Sequence, residues 1–190
     1  VENAPPIAAV PGARLVRGTR ASLTGVPIRL SWAPATDQSP IVGYDLGLLG
    51  EVPVVPPVDP AAVPPSDPAV VPPAAVPPVA VLASTGGTLR TATLAIPFAT
   101  PRSYAVRATD APGNVGAWAV AAPVAVAAVG ESSSAVRRSA GWVGRASSFA
   151  LGGRDISTTR AGAWLRHTFT GRGIALVGAT GLLRGRAEVW

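Results

Sequence analysis

The sequence predicts an all-β protein, and two observations support that prediction. Proline and glycine, at 21 residues each, are spaced so that few windows can hold three uninterrupted turns of helix. Short runs in which apolar and polar residues alternate recur along the chain, separated by residues that favour turns. Because alternation with a period of two is typical of strands with one buried face, the fold class indicated is a β-sandwich.

The clearest predicted strand covers residues 26–32, where apolar side chains occupy the even positions and Arg29 and Ser31 fall on the opposite face. The same alternation predicts four further strands, at residues 42–48, 92–96, 104–108 and 120–126. The inward-pointing side chains are expected to meet between two facing sheets. The predicted core consists of Ile28, Leu30, Trp32, Tyr44, Leu46, Leu94, Tyr104 and Val106.

Residues 52–81 interrupt this rhythm with a proline-rich stretch, in which four Pro-Pro pairs are interleaved with valine and alanine. Such a stretch cannot donate a ladder of sheet hydrogen bonds, and it favours extended polyproline II. We interpret it as an expanded low-complexity loop within the sandwich. The alternative is a stiff arm that docks a proline-recognising partner.

A second module is predicted after residues 130–134, whose sequence Gly-Glu-Ser-Ser-Ser indicates a junction. Beyond it, residues 163–169 alternate, residues 174–177 form a short apolar run, and residues 187–190 begin another strand. About sixty residues with so few strands do not close a sandwich, so we expect this module to be truncated. The predicted domains are residues 1–128 and residues 129–190.

The composition limits the kinds of partner that are expected for this chain. The formal net charge is +6, and all 16 basic residues are arginine. These arginines are scattered and no nucleic-acid-binding motif accompanies them, so no nucleic-acid partner is expected. The longest uncharged apolar run, residues 118–129, is interrupted by Pro123 and is shorter than the roughly 20 residues that a membrane helix needs. No membrane span is therefore expected.

Cysteine is absent, which excludes disulfides, thiolate metal sites and cysteine nucleophiles. Methionine is absent even at position 1, and no charged-then-apolar signal peptide opens the chain. We expect a fragment or a processed product, and the absence of cysteine is compatible with secretion.

Candidate catalytic groups are few. His167 is the only histidine and shares a predicted strand face with Leu165 and Phe169, so a core or core-edge position is expected rather than a general base. Asp110 and Asn114 bracket a tight turn, where we expect them to cap the backbone; calcium coordination is the alternative. No catalytic residue, cofactor or metal site is predicted.

Two tryptophans, Trp142 and Trp164, are the candidates for contact with a ligand. Trp164 is expected on the strand face opposite Leu165, beside Arg166. An exposed indole offers a flat apolar surface to a sugar ring. The alternative is that Trp164 covers the second sheet of an intact sandwich.

Residues 3–128 resemble a fibronectin type III domain of the kind found in secreted bacterial proteins. The resemblance rests on Pro5 and Pro6 and on residues 30–32, 41–46, 94–97, 104–108 and 110–118. It implies an immunoglobulin-like sandwich with Trp32 in the core and Tyr104 as a corner tyrosine whose hydroxyl bonds to the backbone. The proline-rich insertion departs from the family pattern after the third strand.

Residues 129–190 resemble the beginning of a galactose-binding-like sandwich module. The residues that carry this resemblance are 139–142, 152–153, 167–171, 173–178 and 185–189. The resemblance implies a carbohydrate or cell-wall polymer as partner.

These observations predict a non-catalytic extracellular accessory or adhesion region, in which a fibronectin-like spacer precedes a glycan-binding module. Other modules of the same polypeptide are further expected partners. The alternative is that both modules form the tail of a secreted peptidase or glycosidase whose catalytic domain lies outside this chain.

Overall fold

The computed structural model describes residues 4–50, 79–179 and 185–188, and within these ranges the chain is all-β, as predicted. A single 3₁₀ turn, Leu151–Gly153, is the only helical element described, and no described helix is long and apolar enough to cross a membrane. The described strands are β1 Gly12–Leu15, β2 Gly25–Ser31, β3 Ile41–Leu49, β4 Val79–Gly86, β5 Thr91–Pro97, β6 Tyr104–Asp110, β7 Ala119–Val120, β8 Val136–Arg138, β9 Val143–Ala146, β10 Arg154–Ser157 and β11 Leu165–His167.

The strands form four sheets: β1-β2-β5, β4-β3-β6-β7, β10-β9 and β11-β8. Several antiparallel sheets of this kind are consistent with a β-sandwich. The chain divides into two compact units that interleave along the sequence. One comprises the described parts of residues 1–12, 31–91 and 102–124, and the other those of residues 13–30, 92–101 and 125–190. The predicted domain boundary after residue 128 stays a prediction.

The four-stranded sheet buries one face of its central strands. On β3, Tyr44 and Leu46 are 2% and 1% exposed, while Asp45 between them lies on the other face. Antiparallel pairing with β6 sets Leu46 opposite Val106, which is fully buried. Burying each such side chain contributes about 1.5–3 kcal/mol, so apolar contact across these strands stabilises the sheet.

Val42 departs from the predicted alternation, because its side chain is 52% exposed. The pairing of β3 with β6 shifts register between Ile41 and Gly43. A bulge of this kind leaves one residue out of the ladder and turns its side chain away from the buried face.

The three-stranded sheet confirms the alternation on β2, where Ile28 and Leu30 are each 1% exposed and Arg29 between them is exposed. On β5 the fully buried residue is Ile96, and Leu94, which was predicted for the core, is only partly buried. Strand β5 is an edge strand of its sheet, so both positions have a neighbouring strand on one side only, and of the two only Ile96 is completely covered.

Strand β4 corrects the predicted extent of the proline-rich loop. Residues 79–81 were assigned to that loop, but β4 begins at Val79 and pairs with β3 along its length. The other predicted loop residues, 52–78, lie outside the described residues. The insertion therefore gives way to the edge strand three residues earlier than its composition indicates.

The predicted strand over residues 120–126 forms only in part. Strand β7 stops at Val120, and Val124 and Val126 make isolated bridges, to Arg102 and Phe98 respectively. Pro123 interrupts the stretch, and a proline cannot donate a hydrogen bond to a continuous ladder.

Trp32 and Tyr44 form the aromatic centre of the first unit. Their rings meet edge to face, with centroids 5.8 Å apart. The Tyr44 hydroxyl accepts a hydrogen bond from the Ala35 backbone N–H at 2.8 Å. The sequence predicts such a backbone bond for the Tyr104 hydroxyl. Among the described residues Tyr44 makes this bond, and Tyr104 is buried.

The two tyrosines are expected to respond differently to removal of the hydroxyl. Tyr44→Phe leaves the Ala35 N–H without its partner, which lowers the free energy of unfolding by about 1–2 kcal/mol at neutral pH. Tyr104→Phe should instead change the alkaline limb of the stability curve. Urea titrations from neutral pH to about pH 11 measure both effects.

The alkaline effect follows from the pKa of Tyr104. Burial raises that pKa above 10.0, and the Arg102 guanidinium opposes part of the shift. Because the unfolded chain ionises this hydroxyl first, its contribution to stability is complete below the unfolded pKa and is lost as the pH rises through the folded pKa. An alkaline limb that is identical in Tyr104→Phe and the unchanged chain would contradict this assignment.

Strands β8 to β11 form two small antiparallel pairs in the second unit. From residue 129 onward, no described side chain is fully buried. The strand predicted over residues 163–169 shortens to Leu165–His167, and residues 174–177 adopt no regular structure. Of the strand predicted at residues 187–190, residues 187 and 188 are not in a strand, and the last two lie outside the described residues. Alternation alone forms no strand without a partner to supply the ladder.

Candidate functional site

The turn at Asp110 is a structural cap. One Asp110 carboxylate oxygen accepts from the Asn114 backbone N–H at 2.6 Å, and the other accepts from the Asn114 amide Nδ2 at 2.8 Å. Gly113, with a φ of 96°, donates its N–H to the Asp110 carbonyl at 3.1 Å. These bonds confirm the turn-capping interpretation. Within the described ranges, no three His, Asp or Glu side chains group in a way that could hold a metal ion.

His167 is partly buried on β11, and its Nδ1 lies 3.2 Å from the carbonyl oxygen of Ala135. This contact anchors β11 to the chain just before β8. Leu165, two residues earlier on the same strand face, is 39% exposed. The position is thus at the margin of an open face rather than inside a core.

Trp118 packs on the face of the four-stranded sheet that carries Asp45 and Arg107. The Arg107 guanidinium lies over its ring, 4.6 Å from the centroid, and pairs with Asp45 at 2.8 Å. Gly47 leaves room for two neighbours, because a Cβ there would overlap Cγ1 of Val79 and lie 3.1 Å from the Trp118 ring. Trp118 is held by these neighbours and does not present a free aromatic surface.

Trp164 and Ser139 join the ends of β11 and β8. The Ser139 N–H donates to the Trp164 carbonyl at 3.1 Å, and the Trp164 N–H donates to the Ser139 hydroxyl oxygen at the same distance. The Trp164 backbone is therefore fixed at both of its polar groups, while its side chain is 50% exposed. Because the backbone is held at this position, a ligand that packs against the indole does not have to order the backbone beneath it.

A cavity of about 300 Å³ opens beside this junction. Two stretches of chain form it: residues 139–140, which Gly141 separates from Trp142, and the turn at residues 160–163, which directly precedes Trp164. The lining carries two polar side chains, Ser139 and Arg160, among small residues: Ala140, Ala161, Gly162 and Ala163. The hydrogen-bond donors of Ser139 and Arg160 thus line a space that a small ligand group can occupy.

Two glycines shape this cavity. Gly141 has a φ of 92°, and a Cβ there would lie 2.6 Å from Cδ of Arg160. Gly162, with a φ of 73°, allows the turn in which the Ala163 N–H donates to the Arg160 carbonyl at 3.4 Å. Arg160 can cross Gly141 because no side chain stands there.

The two candidate tryptophans differ in exposure. Trp164 presents half of its surface to solvent, whereas Trp142 is partly buried and its indole N–H has no partner among the described residues. Their roles in ligand contact stay predictions. Sequence reasoning gave Arg160 and Ser139 no role in ligand contact, although Ser139 lies in a stretch that carries the resemblance. The glycines at positions 141 and 162 mark two turns but not their proximity.

Comparison with protein families, curated proteins and solved structures finds no match for this chain. The resemblances to fibronectin type III and galactose-binding-like modules accordingly stay predictions.

Proposed function

We propose that this chain is a non-catalytic extracellular accessory or adhesion region, in which a fibronectin-like spacer supports a glycan-binding surface around Trp164. The observation that carries the proposal is the half-exposed Trp164 indole, anchored through its backbone to Ser139 beside the 300 Å³ cavity. Trp142 has a secondary role in this proposal, because it comes shortly after the cavity-lining residues 139–140 in the chain and is partly buried.

The chemistry of this surface suits a sugar. A pyranose ring has an apolar face that packs on an indole, and hydroxyls at its rim that need hydrogen-bond partners. The Ser139 hydroxyl and the Arg160 guanidinium supply donors at the cavity beside Trp164. Nothing in this scheme requires a bond to be broken, so the surface holds its ligand without transforming it.

Co-sedimentation with insoluble cell-wall polysaccharide tests the proposal. Trp164→Ala is expected to weaken binding about tenfold or more, as for a tryptophan at the centre of an interface. Phe149→Ala is the matched control, because Phe149 is also an exposed aromatic residue of the second unit, 94% accessible, and does not line the cavity.

Trp164→Ala that binds as tightly as the unchanged chain, with an unchanged far-ultraviolet circular dichroism spectrum, would overturn the proposal. Equal losses in Trp164→Ala and Phe149→Ala would also overturn it, since they would point to general stickiness of aromatic side chains rather than to a site.

A further inference from the structure

The net charge of the chain is concentrated in one segment. Residues 129–190 contain nine arginines and three acidic residues, whereas residues 1–128 contain seven of each. The whole formal charge of +6 therefore resides in the last third of the chain, the part that carries Trp164 and the cavity. A field of one sign over a small module attracts ligands of the opposite sign.

Strand pairing places two of these arginines side by side. In the antiparallel register of β8 and β11, Arg137 lies directly opposite Arg166, and both side chains are exposed. Among the described residues neither guanidinium pairs with a carboxylate, the ion pair found being that of Arg107 with Asp45. Like charges directly opposite one another destabilise a strand pair. Repulsion between Arg137 and Arg166 therefore destabilises the pairing of β8 with β11, and a bound anion would reduce that repulsion.

The face of the β8–β11 pair that carries Arg137 and Arg166 extends to the candidate site. Alternation along β11, continued one residue towards its start, sets Trp164 on the face of Arg166. Ser139 likewise follows Arg137 by two residues, which is about 7 Å along the strand. The arginine pair, the exposed indole and the cavity with Arg160 therefore succeed one another along one surface, which we term the arginine–tryptophan face.

We propose that the arginine–tryptophan face, defined by Arg137, Arg166, Trp164 and Arg160, binds an acidic polysaccharide whose sugars carry carboxylates. This inference rests on the proposed function and specifies its ligand. Guanidinium groups pair with carboxylates through two parallel hydrogen bonds, and successive carboxylates along one polymer can engage successive arginines. A polysaccharide fits better than a nucleic acid, because single strands are held by rows of stacking aromatic side chains and this face presents one exposed tryptophan.

Polygalacturonate and its methyl ester form a matched pair of probes, since they share a sugar backbone and differ in charge. We expect the full chain to bind polygalacturonate at least tenfold more tightly than the ester at low ionic strength, and added salt to erase the difference. The double variant Arg137→Gln with Arg166→Gln should lose this preference. Arg17→Gln with Arg20→Gln removes the same charge from exposed positions outside the face and should keep it.

A second variant separates binding from folding. Arg137→Glu creates an opposite-charge pair with Arg166, so the amides of β8 and β11 should exchange more slowly with solvent. The same variant should lose its preference for polygalacturonate. Slower exchange together with lost preference supports the proposal, because a purely structural role for Arg137 would not give that combination.

The remaining outcomes are decisive. Equal, Trp164-dependent binding of both polymers would overturn the acidic-ligand inference and leave the proposed glycan-binding function intact. Absence of binding to both polymers and to cell-wall polysaccharide would overturn both. Tighter binding of single-stranded DNA than of polygalacturonate at equal salt would assign the face to nucleic acid and overturn the inference.

Discussion

Trp32→Ala is expected to lower the free energy of unfolding by about 3–5 kcal/mol. Trp32 is 6% exposed and its ring meets that of Tyr44 edge to face. Truncation removes the buried indole surface, the ring contact and the support for Tyr44. Because domains of this size are stable by about 5–15 kcal/mol, the loss is a large share of the total. Urea unfolding followed by far-ultraviolet circular dichroism measures it.

Trp32→Phe is the control for this substitution. Phenylalanine retains a ring against Tyr44 and removes the indole N–H, which is buried without a partner among the described residues. We expect a cost below about 1.5 kcal/mol. If both variants lost the same amount, ring packing would not be the source of the stability, and the described core around Trp32 would be wrong.

Asp110→Ala is expected to cost about 2–4 kcal/mol. The Asp110 side chain is fully buried, and its two oxygens accept from the backbone and side chain of Asn114. Alanine leaves both donors without acceptors at the end of β6, where the turn starts. Thermal unfolding of Asp110→Ala beside the unchanged chain measures the loss, and added calcium or chelator should leave the melting temperature unchanged.

Exchanging Asp110 and Asn114 gives the control for the loss expected in Asp110→Ala. Asp110→Asn alone sets an amide group against the Asn114 amide, so one of the two bonds is lost. The combined exchange Asp110→Asn with Asn114→Asp restores a donor and an acceptor across the turn, and should recover part of the stability. A melting temperature that falls further in the combined exchange than in Asp110→Asn would contradict the proposed pairing.

Alternation in the sequence was sufficient to locate the buried faces of β2, β3 and β6. Seven of the eight side chains predicted for the core are buried, because a strand with one solvated face repeats its burial every second residue. Leu94 is the exception: β5 is an edge strand of its sheet, and of its two inward positions only Ile96 is fully buried. Which strand lies at an edge depends on pairing between distant segments, and local periodicity carries no information about it.

Strand β4 shows the same limit. Its apolar residues Val81 and Leu82 are 52% and 43% exposed, so no buried face repeats along it, and it follows directly on the proline-rich stretch. It is a strand because its backbone pairs with β3 from Val79 to Gly86. The paired residues of β3 lie about thirty to forty residues away in the chain, beyond the reach of a pattern taken over a short window.

The candidate site was predictable in part. The exposed face of Trp164 follows from its position beside Arg166 on an alternating run. The opposition of Arg137 and Arg166 needed the register of β8 and β11, and the cavity needed Arg160 to cross Gly141. Both are relations between segments about twenty to thirty residues apart, which only the folded chain brings together.

Single-cysteine scanning along β2 tests the alternating burial on which the all-β description depends, and the cysteine-free chain needs no prior substitution. Cysteine is introduced at Ile28, Arg29, Leu30 or Ser31, and the rate of thiol modification is measured under native conditions. We expect positions 28 and 30 to react at least about tenfold more slowly than positions 29 and 31. Equal rates at all four positions, or protection that does not alternate, would contradict the account.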